Sequence, residues 1–281
     1  MLRLTLPRPL ATLRTLRTLR TLTALTALGA LGTLFVSSAA KAEDKGSFGE
    51  QGQFIFGADR VFSPFAYTSN SYGEPGGNVT VNGTSTSFLW GGNGIAGGAA
   101  NGNQFVAGNP NFYSAPRVGF DYTIIPHLTI GGELFAWFTL GGSTSTPTGN
   151  GTSVSGPNPS GNEFGIAPRV GYIIGLTDIL SVWLRGGFSY YVANTSSNNN
   201  ANGNCNTNGS LNTFGIDLDP QLVISPIPHF AFLAGPTLDW GFTGGYSVTA
   251  PTDQSCNRAV TTSGNYNAVN FSLNAGLIGW L

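Results

Sequence analysis

The chain has 281 residues, with twelve Lys and Arg, thirteen Asp and Glu, and a formal net charge of −1. Charged residues make up only 9% of it, too few to cover a soluble domain of this length, and beyond residue 42 they are mostly acidic, the wrong sign for a nucleic-acid surface. Two cysteines in so long a chain exclude a disulfide-dense scaffold and leave room for one bridge.

Residues 1–42 differ in kind from the rest of the chain. Arg3, Arg8, Arg14, Arg17 and Arg20 form a basic region, an apolar stretch runs from Leu22 to Val36, and Ala40-Lys41-Ala42 offers a small-x-small cleavage site. We read a secretory signal peptide cleaved after Ala42. Six of the twelve cations leave with it, so the mature chain carries six against thirteen acids. No later apolar run is long enough for a transmembrane helix.

From Gln51 onward the apolar residues recur with period two, the mark of strands with two unlike faces. Eight segments can be placed in chain order, at 51–67, 115–126, 127–142, 163–176, 179–194, 212–226, 229–243 and 266–281. Their connections alternate. Pro126-His127, Leu176 to Asp178 and Ser225 to His229 are tight, whereas 68–114, 143–162, 195–211 and 244–265 are long, polar and rich in glycine. An antiparallel meander with one tight end and one loose end is the pattern of a membrane barrel with short periplasmic turns and long extracellular loops. The expected fold is therefore all-β, an eight-stranded up-and-down transmembrane barrel over 51–281, preceded by a periplasmic segment at 43–50.

Charge placement decides which face is inside. Asp59, Arg117, Asp121, Glu133, Arg169, Arg185, Asp217, Asp219 and Asp239 share the polar face, and most lie six to eleven residues from a tight turn, at mid-membrane depth. An arginine facing lipid there costs about 2–4 kcal/mol, so these groups are expected to form a lumenal charge network that closes a narrow interior of glycine and small polar residues. The other face carries Phe120, Tyr122, Phe138, Phe164, Tyr172, Phe188, Tyr190, Phe214, Phe232, Trp240 and Phe242, suited to lipid and its interfaces.

Two features strain this register. Strict alternation aims Arg60 at lipid unless a bulge at Asp59-Arg60 turns both residues inward. In addition, APRVGF at 115–120, APRVGY at 167–172 and the degraded DPQLVI at 219–224 place Pro116, Pro168 and Pro220 at a 52-residue step. A proline cannot donate to a ladder, so an irregularity is expected beside each.

The export signal, GQFIFGADRVF, APRVGFDY, APRVGYIIG, VWLRGGFSYY and PHFAFLAGPTLDWGFTG together resemble the small outer-membrane β-barrel proteins of Gram-negative bacteria, the group that includes OmpX- and OmpA-like barrels, over residues 50–281. The resemblance implies a monomer in the cell outer membrane, in contact with its lipid and inserted by the barrel-assembly machinery. That machinery reads a closing outward series, here Phe271, Leu273, Ala275, Leu277, Gly279 and Leu281, which ends on leucine where the family ends on an aromatic residue. The expected role is structural or surface-interactive through the extracellular loops, with a ligand the sequence does not name. The alternative is a narrow channel or transporter for small or hydrophobic solutes.

Local motifs add little chemistry. GNGIAG at 92–97 fits G-x-G-x-x-G but lacks the strand and helix a pyrophosphate cradle needs, so no cofactor is expected. Asn82-Gly83 between β-branched residues reads as the turn of a hairpin projecting from the first loop. Cys205 and Cys256, in the third and fourth long loops, are read as one disulfide and not as metal ligands. His127 and His229 fall at tight turns, and no G-x-S-x-G elbow accompanies them, so we expect no enzyme.

Overall fold

The computed structural model describes residues 47–73, 80–87, 112–147, 153–157, 160–199, 205–252 and 257–281. Among these, eleven strands are present: β1 (Phe54–Gly73), β2 (Thr80–Ser87), β3 (Arg117–Ile125), β4 (Leu128–Thr139), β5 (Ser143–Pro147), β6 (Ser153–Pro157), β7 (Ser160–Thr177), β8 (Leu180–Asn199), β9 (Cys205–Ile227), β10 (Phe230–Pro251) and β11 (Ala259–Trp280). Eight of them, β1, β3, β4 and β7 to β11, pair antiparallel in chain order. The ring closes where β1 meets β11, from Ile55 opposite Trp280 to Gly73 opposite Asn265.

Side-chain alternation agrees with the expected faces. Trp183 is fully buried in the lumen, whereas Phe188 on the same strand is 54% exposed on the outside. The outward run of β8 from Leu180 to Val192 is apolar or glycine except for Tyr190. At about 3.3 Å per residue and a tilt near 40°, it spans roughly 30 Å, the depth of a bilayer's hydrocarbon core. Among the described residues no helix is long and apolar enough to cross a membrane; the strands supply the apolar exterior.

The tight turns lie where alternation places them, and His127 and His229 adopt positive φ of 71° and 64° there. The other end departs from expectation. Segments read as loops continue as strand: β8 and β9 stay paired to Asn199 opposite Cys205, and β10 and β11 to Pro251 opposite Ala259. Their Asn, Ser and Thr residues carry no apolar signal, yet they inherit a register already fixed by the ladder below. β2 zips onto β1, but Asn82 and Gly83 lie opposite Ser71 and Asn70 inside the strand pair. Asn82-Gly83 is thus part of a ladder and not the turn of this hairpin. GNGIAG lies outside the described residues.

Of the repeated prolines, Pro116 stands just before β3 and interrupts no ladder. Pro168 pairs with Gly132 of β4, while on the β8 side pairing lapses between Ile166–Tyr190 and Arg169–Gly187. Pro220 pairs with Leu184 of β8, and the β9–β10 ladder lapses between Leu222–Ala234 and Leu218–Leu238, where Pro236 also lies. The ladder gaps therefore lie on the sides where a proline has no donor to give.

Candidate functional site: a lumen in three layers

The lumen is filled by three stacked layers. Nearest the turns, Ile55, Ile173, Trp183, Val223, Leu233, Ile278 and Trp280 form an apolar layer. Residues 47–53 close it from below. Phe48 packs on Trp183 and Trp280 at ring-centroid distances of 5.5 and 5.1 Å. Gly49 and Gly52, at φ of 98° and 85°, provide the left-handed bends this segment needs, and His127 N–H donates to Gly49 C=O at 2.8 Å.

The middle layer is ionic. Arg60 pairs with Asp217 at 2.8 Å and Asp239 at 2.9 Å; Arg117 pairs with Glu133 at 2.8 Å and Asp217 at 3.2 Å. Arg169 pairs with Asp121 at 2.6 Å, Asp59 at 3.1 Å and Glu133, and Arg185 pairs with Asp59 at 3.2 Å and with Asp219. Asn270 donates to Asp239 at 3.2 Å. Every barrel strand contributes, and Glu133 joins the Arg60–Arg117 half of this belt to the Arg169–Arg185 half. Small residues make the space: a Cβ on Gly119 would lie 2.6 Å from Asp59 Oδ2 and 2.9 Å from Arg169 Nη2.

All nine residues of the expected network are thus side by side, and Arg60 joins them. The pairing of β1 with β11 shifts register between Ala58 and Phe62, and Arg60 takes a φ of 55° there, so that Asp59 and Arg60 are both buried. A bulge does this by setting extra residues against fewer on the partner strand.

The third layer, toward the loops, is aromatic. Tyr72, Phe135, Tyr191, Leu211 and Tyr266 are joined by Phe112 and Tyr113, which come from the chain just before β3 and turn down into the lumen. Phe112 stacks on Tyr191 at 4.8 Å. The ionic belt holds this strap by its backbone: Arg60 donates to Tyr113 C=O, and Arg117 Nη2 donates to Phe112 C=O at 3.2 Å. The flat faces of the guanidiniums also meet the adjoining layers. Arg117 lies over Tyr191 at 5.1 Å, and Arg185 over Trp183 at 4.6 Å.

Alternation alone places Trp183, Trp280, Ile55 and Ile173 inward, so the lumen is not lined only by glycine and small polar residues as expected. The strap at Phe112-Tyr113 carries no such signal, because it reaches the lumen from a connection and not from a strand. Cys205 begins β9, while Cys256, the other half of the expected disulfide, lies outside the described residues.

On the outer wall beside Pro168 lies an apolar groove of about 520 Å³, bordered by Ile130, Pro168, Val170, Gly186, Phe188 and Ile216, with Arg169 behind it. The ladder gap between β7 and β8 runs along its floor.

No described protein family and no curated protein sequence matches the chain. Among solved structures it is similar to the outer membrane protein AlkL in DMPC lipid bilayers, at 11% identity over 86% of this chain and 96% of that one, with a TM-score of 0.44. OprG from Pseudomonas aeruginosa, also an outer membrane protein, aligns at 13% identity over 82% and 96%, with a TM-score of 0.42. Ail, the attachment invasion locus protein of Yersinia pestis, aligns at 10% identity over 81% and 99%, with a TM-score of 0.30. A ring of eight antiparallel strands, closed by β1 on β11, with an apolar exterior of membrane depth around an ion-paired lumen, makes this chain an all-β, eight-stranded transmembrane barrel.

Proposed function

We propose that the barrel passes small apolar solutes from its loop end sideways into the surrounding lipid and does not conduct ions along its axis. This favours the transporter alternative over a purely structural or surface-interactive role. The observation that carries it is the Pro168 seam. Ala167, the inward residue beside that proline, lies between Gly165, which abuts the Tyr191 ring, and Arg169 of the ionic belt. An apolar solute among the aromatic rings therefore meets a sealed charge layer below it and a wall with missing hydrogen bonds beside it, and that wall opens on an apolar groove. The strands touch at the seam, where a Cβ on Gly187 would collide with Pro168 C=O, so passage takes a transient parting of β7 from β8.

The same reading includes export through residues 1–42 with cleavage after Ala42, insertion by the barrel-assembly machinery, and a Cys205–Cys256 bridge in the extracellular part.

Cells displaying the chain are expected to take up radiolabelled naphthalene several-fold faster than cells without it. Pro168→Val returns a ladder donor worth about 1 kcal/mol and should cut that gain about fivefold. Heat-modifiable gel mobility checks that the variant still forms the barrel. Equal uptake with and without the chain, or an unchanged rate in folded Pro168→Val, overturns the proposal.

A further inference from the structure

The outer face of the barrel changes chemistry at one level. Phe164, Tyr190, Phe214 and Phe242 point outward, and the next outward residues toward the loops on β7 to β9 are Asn162, Asn194 past Val192, and Asn212. Asn162 and Asn194 face each other across β7 and β8, and Asn194 Nδ2 donates to Asn162 Oδ1 at 3.0 Å. If the aromatic residues mark the edge of the hydrocarbon, this asparagine collar stands in the headgroup layer.

A pocket of about 630 Å³ lies on the collar. Phe138 and Leu140 form one side, and Asn162, Asn194, Ser196 and Ser210 form the floor, continued by Ser and Thr side chains of β10. It is outside the lumen, because these residues share the parity of Phe164, Tyr190 and Phe214 and not that of buried Glu163, Tyr191 and Leu211. Among the described residues no Asp, Glu, Lys, Arg or His lines it. Its polar atoms are amides and hydroxyls that both donate and accept, set beside an exposed aromatic ring.

From this we infer a binding site for the neutral sugar part of a glycolipid in the surrounding outer leaflet, independent of the solute path at Pro168. Sugar hydroxyls match donor-and-acceptor side chains in place of water, and the apolar C–H face of a pyranose fits the ring of Phe138. A phosphate or carboxylate headgroup finds no cation among the described lining residues, whereas a neutral sugar needs none. The depth of the collar selects a lipid-borne glycan over a free one, since the lipid's own chains anchor it against the apolar wall just below.

The test uses the full barrel reconstituted in nanodiscs of phosphatidylglycerol, with or without a diacylglycerol carrying a neutral disaccharide. Native mass spectrometry then counts the lipids retained after detergent exchange. The glycolipid should be retained in preference to phosphatidylglycerol. Asn194→Leu with Ser210→Leu, both at exposed positions, removes about two hydrogen bonds and should lower that retention about tenfold. Asn267→Leu, on β11 away from the pocket, should leave it unchanged, and heat-modifiable mobility verifies that each variant is folded. Equal retention by the double variant, equal retention of phosphatidylglycerol, or retention of the free disaccharide as strong as that of its lipid form would each overturn the assignment.

Discussion

Glu133 is the residue on which the lumen turns. Its carboxylate is buried, accepts from Arg117 at 2.8 Å and from Arg169, and is the only bridge among the described ion pairs between the two halves of the belt. Taking charges out of water costs several kcal/mol per ion, recovered only while each has its partners. Glu133→Ala takes one carboxylate from each of two buried guanidiniums and cuts the link between the halves, and it should lower the stability of the lipid-reconstituted barrel by about 3 kcal/mol, read from its urea unfolding midpoint. Glu133→Gln, which keeps the shape and one acceptor, should lose less; equal stability of all three proteins would show that the belt contributes nothing. At this scale the sequence was informative, because a charge on the polar face of a mid-membrane strand has only the lumen to enter. Arg60 was legible only through its conflict with strict alternation, and the register shift beside it is what resolves that conflict.

At the scale of elements, the turn-end plug is a segment of seven residues tied to the barrel by backbone hydrogen bonds to Thr123 and His127 and capped by one ring. Phe48 covers Trp183 and Trp280, which are otherwise sealed within the lumen. Removing a partly buried ring should cost about 1–2 kcal/mol, less than the range for a full core position. More tellingly, Phe48→Ala should red-shift tryptophan emission and admit acrylamide to Trp183 and Trp280; an unchanged quenching constant would mean that the segment does not close this end. The seams at Pro168 and at Pro220 opposite Pro236 are elements of the same kind, defined by what they lack. Amides at the lapsed pairs, such as that of Phe188, should exchange with deuterium faster than those of Trp183 or Leu184 in the unbroken stretch of β8, and uniform protection along β8 would count against a weak seam. Proline made these gaps legible in advance. The strap at Phe112-Tyr113 and the long outer strand extensions were not, since one is placed by tertiary contacts and the others by a ladder that polar residues merely continue.

For the whole molecule, the three layers act in series along one axis, so each must open before an ion can cross. The ionic layer has four guanidiniums and six carboxylates in mutual contact, and an ion entering it must displace a partner from a pair already desolvated. The apolar layer on one side and the aromatic layer on the other, whose polar atoms include the hydroxyls of Tyr72, Tyr113, Tyr191 and Tyr266, replace little of the ion's hydration shell. Damage to one layer should therefore cost stability without creating a pore. Arg169→Ala leaves Asp59 and Asp121 short of a partner and is expected to destabilise the barrel, yet planar bilayers holding it should show no stepwise current beyond that of the wild type. The sideways route has the opposite dependence. It never crosses the ionic layer, so Pro168→Val should slow naphthalene uptake while ion current stays absent in both proteins. Ordinary conductance in folded Arg169→Ala would mean that the belt alone is the plug, and the apolar layers above and below it would then have to be wet in the membrane.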